Sequence, residues 1–120
     1  MKKKVVFISL PMSGIPIEII EKNIEKAKEV YLAITDMDIN NVAFINNLDC
    51  EGSSDYMGID EKRMSIWYLG RAIQKMPCCD EAFFWIGWEN ARGCKIEYNV
   101  CKLYDIPILS VERHEEVVTT

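Results

Sequence analysis

Apolar residues along this chain follow two alternating rhythms. Lys4 to Leu10, Val42 to Ile45, Ala82 to Ile86 and the segment around Ile106-Pro107-Ile108-Leu109 hold short, continuous apolar runs rich in β-branched or aromatic residues. That is the pattern of strands covered on both faces in a parallel sheet. Between the runs the spacing becomes helical. From Ile17 to Ala33, Ile20, Ile24, Ala27 and Tyr31 fall on one face, with Glu18, Glu21, Lys22, Glu25, Lys28 and Glu29 elsewhere. Glu61 to Met76 reads as a second helix with two apolar stripes, Met64-Trp67-Tyr68 with Arg71, and Ile66-Leu69-Ile73-Met76. Pro77 ends it. A third helix starts near Gly93, with Ile96, Val100 and Leu103 as its apolar positions. Alternating β and α units predict a three-layer α/β/α sandwich around a parallel sheet of four to five strands with right-handed crossovers.

The connections carry their own signals. Pro11-Met12-Ser13-Gly14 breaks the first strand before a helix that opens near Pro16, so backbone amides with Ser9 or Ser13 could hold a phosphate or a sugar oxygen there. No GxGxxG and no Walker lysine accompany it, and a plain βα turn explains it equally well. Asn46 to Asp60 is rich in Asn, Asp, Gly and Ser and too long for a minimal connection, which makes it a candidate lid over the strand ends. The segment from Val111 to Thr120 is polar, an arm or an edge strand. A second helix apolar on two sides predicts a homo-oligomer through residues 61–76, one stripe on the sheet and the other on a neighbouring subunit.

At 120 residues and 49% hydrophobic content, the chain suits one domain spanning 1–120. A net charge of -5 argues against a nucleic-acid polymer or an anionic membrane as partner, since either needs a basic face. The apolar run after Lys2 to Lys4 is too short for a signal-peptide core or a membrane span, and the expected location is cytoplasmic. The five cysteines, Cys50, Cys78, Cys79, Cys94 and Cys101, lack paired CxxC spacing and are expected to be free thiols. Adjacent Cys78 and Cys79 would close only a strained ring, which argues against a redox pair. His114, the single histidine, lies in the polar tail, so neither a histidine triad nor a histidine metal site is expected. No cofactor is expected; a phosphate loop long enough for FMN is absent, and no acidic pair follows the first strand.

Chemistry concentrates between Asp80 and Tyr98. A strand, a glycine-punctuated crossing at Gly87 and Gly93 and a helix follow one another, placing Glu97 in the first turn or two of that helix, at the strand ends where open α/β sheets bind small molecules. A carboxylate there is suited to a nucleophile or an electrostatic stabiliser, or it is simply a helix-start acid. Arg92 offers a planar cation for a phosphate or carboxylate, or a partner for Glu89. Trp85 and Trp88 are large enough to stack a nucleobase, Trp85 being better placed for the core.

FISLPMSGIP at the start, IGWENARGCKIE after the third strand and the helix that follows resemble the nucleoside 2-deoxyribosyltransferase-like family, closest to a branch of small bacterial and phage proteins without an assigned activity. The likeness spans almost the whole chain and is most specific in G-W-E-x-A-R-G-x-x-x-E, Gly87 to Glu97. It implies a flavodoxin-like fold, self-association, and Glu97 as the nucleophile that attacks the anomeric carbon of a deoxynucleoside or its 5′-monophosphate. Ser13 and Gly14 match the loop that lines the sugar or phosphate site in relatives, and with Ser9, Met12, Trp88, Glu89, Arg92 and Gly93 they make up the expected substrate site. Two positions depart from the family pattern. Active relatives carry an aspartate late in the second helix, where this chain reads Gly70-Arg71-Ala72-Ile73, and an acid or serine where it has Ala91. The proton for a leaving base would then come from Glu89, Asp80 or a neighbouring subunit, and Arg71 suggests a more anionic ligand. The competing expectation is a nucleotide-binding module of the same fold without catalysis.

Overall fold

The structure, a computed structural model, describes residues 2–46 and 61–111. Cys50, His114, the candidate lid beyond Asn46 and the tail beyond Val111 lie outside the described residues, as do the side chains of Glu61, Lys62 and Met64. Four strands, β1 (Lys4–Ser9), β2 (Val42–Ile45), β3 (Glu81–Phe84) and β4 (Ile108–Ser110), alternate with three helices, α1 (Ile17–Thr35), α2 (Glu61–Lys75) and α3 (Arg92–Leu103). All the pairings are parallel and the strand order is β2-β1-β3-β4. This is a flavodoxin-like α/β sheet, whose order reverses between β1 and β3. No helix among the described residues is long and apolar enough to cross a membrane.

Strand parity sorts the core into two layers. Val6 and Ile8 of β1 and Phe83 of β3 pack with Trp85 against Ile20, Ile24, Ala27 and Tyr31 of α1. Those four α1 residues are the stripe that the helical spacing picks out, and all are buried. Phe7, Ala82 and Phe84 point the other way and pack with Ala72, Met76 and Cys101 from the α2–α3 side. Trp85 is 5% exposed in the α1 layer, so it belongs to the core and not to a ligand. α2 gives way at Met76 to a 3₁₀ turn through Cys78, because Pro77 has no N–H to continue the α ladder.

Two expectations change. β3 ends at Phe84, and Ile86 is exposed beyond it. In α3 the buried residues are Cys94, Glu97 and Cys101, while Ile96 is 43% and Leu103 77% exposed. Cys94, Glu97 and Cys101 are spaced as one helical stripe. Two small thiols bring α3 close to the sheet and carry a carboxylate in with them.

Candidate active site

The site lies where two crossovers part company. After β1 the chain turns through Leu10 to Pro16 toward α1; Ile15 N–H returns to Met12 O at 3.1 Å, and Gly14 takes φ +76°. After β3, Trp85 N–H still donates to Ser9 O at 2.9 Å, and Gly87 then turns the chain at φ +89° into a 3₁₀ turn over Trp88–Asn90. α3 begins at Arg92, on the face opposite α1. One crossover thus leaves upward and the other downward, opening the crevice at the strand C-termini that such sheets use for ligands.

A cavity of about 830 Å³ occupies this crevice, within the size range of small-molecule sites. The turn after β1 supplies Met12, Ser13 and Gly14, the α3 start supplies Arg92, Gly93 and Cys94, and Glu97 lines it from one turn deeper. Ile66 and Leu69 of α2 form an apolar wall. Ala91, the residue before α3, provides no side-chain cap, and the first helical bond there runs from Lys95 N–H to Ala91 O at 3.0 Å. The amides of Arg92, Gly93 and Cys94 therefore stand ahead of the helical ladder at its positive end.

Glu97 is 2% exposed. The Ser9 hydroxyl donates to its Oε1 at 2.6 Å, a length typical of a charge-assisted bond. β1 parity explains the meeting, since Ser9 points to the same side as Phe7, toward α3. The Cys94 thiol beside them is pushed up to about 12, first by burial and further by the Glu97 charge, with contact to Ser9 acting the other way. Cys101 is likewise pushed up to about 12, by burial first and then by Cys79 and Glu97. Both thiols are protonated at neutral pH, so neither is a ready nucleophile. Cys78, Cys79, Cys94 and Cys101 are all free, and no cluster among the described residues has the make-up of a metal site.

The residues singled out by sequence divide into two groups. Met12, Ser13, Gly14, Arg92, Gly93 and Glu97 share the cavity, with Ser9 directly behind Glu97. Trp88 and Glu89 do not line it. The Trp88 ring stacks on Tyr98 at 4.5 Å between centroids and packs on Phe84 at 5.3 Å, so its faces serve the fold. Among the described residues Arg92 forms no ion pair with Glu89. Asp80 sits at the opposite end of the sheet, where its Oδ2 accepts Val5 N–H at 2.7 Å, which removes it as a proton donor here. Arg71 lies over the Trp67 ring, 5.6 Å from its centroid, and does not line the cavity. Asn90 does line it and escaped the sequence reading, as did the α2 wall. An asparagine in a turn carries no local sign of facing a ligand, and a helix wall is known only once the helix is docked.

Comparison of the chain with family models, with curated proteins and with solved structures gave no match in any of the three.

Proposed function

We propose that this protein binds a nucleoside or nucleotide in the crevice and cleaves or transfers at its N-glycosidic bond, with Glu97 as nucleophile. The observation that carries the reading is a carboxylate that is almost fully buried yet lines a cavity, one oxygen held by Ser9. In the proposed reaction a Glu97 oxygen attacks C1′ of the sugar. The C1′–N bond breaks, and its electron pair leaves with the base. Water or a second base then takes the sugar from Glu97, as in retaining glycosidases. Amides at the α3 start and the Arg92 guanidinium would accept an anionic end of the ligand, and the Met12, Ile66 and Leu69 side chains a planar apolar one. Ile66, 64% exposed beside the cavity, is the kind of residue a second copy of the chain would cover, supporting self-association through α2.

The test is incubation with deoxynucleosides and their 5′-monophosphates, following free base by chromatography. Wild type should release base, and Glu97→Ala should lower the rate by roughly three orders of magnitude or more. Equal rates would exclude the assigned role.

One observation favours a second reading, a binding module without turnover. Among the described residues no acid other than Glu97 lines the cavity, so a donor for the departing base has to come from elsewhere. That reading predicts a thermal shift of several degrees with deoxynucleoside monophosphates and no base released.

A further inference from the structure

We propose that Ser9 is a positioning residue for Glu97, its hydroxyl anchoring the carboxylate from a central strand beneath the cavity. The proposal rests on Glu97 being the functional group of the site, but its deciding measurement needs no turnover.

A serine hydroxyl has one proton and two lone pairs. With the proton given to Glu97 Oε1 at 2.6 Å, Ser9 Oγ can only accept from its other neighbours. Ser9 is itself immobile, the last residue of β1, in register with Phe84 and with its carbonyl accepting Trp85 N–H. An anchor on a central strand holds a long glutamate side chain more closely than one on a loop would. Displacement of a reacting group by about 1 Å costs about a hundredfold in rate, so this anchor is the part of the site with most leverage over orientation.

The experiment uses the full chain with glutamate ¹³C-labelled at the side-chain carboxyl, the Glu97 signal being assigned by its loss in Glu97→Gln. Titration of wild type and Ser9→Ala follows, with a thermal melt to confirm that both are folded. Loss of a donor to the charged form should raise the Glu97 midpoint by about one pH unit in Ser9→Ala. Cys101, also coupled to Glu97, stays protonated to about 12 and does not titrate across this window. In the base-release assay Ser9→Ala should lower kcat about ten- to a hundredfold with KM within about twofold. A Glu97 midpoint unmoved by Ser9→Ala overturns the positioning role. Base release by Glu97→Gln at the wild-type rate overturns the catalytic reading alone, and the titration still decides the role of Ser9.

Discussion

Gly87 and Gly93 flank the same turn but answer to different physics. Gly87 holds φ +89°, where a side chain is strained, and an added Cβ would meet Pro11 Cγ at 3.4 Å. Gly93 lies within α3, and an added Cβ there meets nothing within 4 Å. Gly87→Ala should therefore lower stability by about 1–2 kcal/mol, the usual penalty for a left-handed backbone carrying a Cβ. Gly93→Ala should raise it by up to about 1 kcal/mol, because alanine is the better helix former. Urea denaturation of both variants checks the contrast; a Gly87→Ala protein as stable as Gly93→Ala would contradict it. The sequence motif makes these glycines look alike. Only the backbone angles separate a glycine needed for the turn from one that merely leaves space at the cavity.

Helix α3 shows where sequence patterning stops being a guide. In α1 hydrophobicity and burial coincide, so Ile20, Ile24, Ala27 and Tyr31 could be read directly as the packed face. The β2 run Val42–Ile45 was equally legible, since it has no amphipathic alternative. α3 has apolar residues on more than one side, and the larger ones, Ile96 and Leu103, are the exposed ones. Hydrophobicity alone cannot rank a cysteine–glutamate stripe above an isoleucine–leucine stripe; a polar partner such as Ser9 on β1, 88 residues away, is invisible to local patterning. The same limit applied to the site: Ser13 and Gly14 of the turn after β1 and Gly93 at the start of α3 announced themselves by local chemistry, whereas the α2 wall depends on docking. Leu103→Ser should accordingly change stability by less than about 0.5 kcal/mol, as surface substitutions do. Cys101→Ser should cost about 1–3 kcal/mol by placing a hydroxyl in an apolar layer. A larger loss at Leu103 than at Cys101 in chemical denaturation would show that α3 packs by its other face.

On the scale of the whole molecule, several of the described groups tie protonation to folding on the alkaline side. Burial raises Tyr31 above 10.0, helped by the bond its hydroxyl donates to Glu81 at 2.5 Å. Tyr31 and then Glu81 raise Lys4 above 10.5, and Lys4 pairs with Glu81 at 3.0 Å. Burial lifts Cys94 and Cys101 from 9.0 to about 12. In every case the folded state binds its proton more tightly than the unfolded chain. The stability that these groups contribute is complete below their unfolded values and is lost as pH rises through the folded ones. The unfolding free energy should thus change little on their account between pH 7 and 9, then fall as the pH rises from 9 toward 12. Each group adds at most about 1.4 kcal/mol per pH unit to that slope. The two layers of the core are separable here, because Tyr31 lies on the α1 side and Cys101 on the α3 side. Cys101→Ala should be less stable than wild type at pH 7 but lose stability more gradually between pH 9 and 12. Tyr31→Phe should match wild type in slope up to about pH 10 and become shallower only above it, since tyrosine begins to ionise there in the unfolded chain. Urea denaturation at pH 7, 9, 10 and 11 reads both, and a Cys101→Ala profile parallel to wild type throughout would mean that this thiol releases its proton as readily in the folded core as in water.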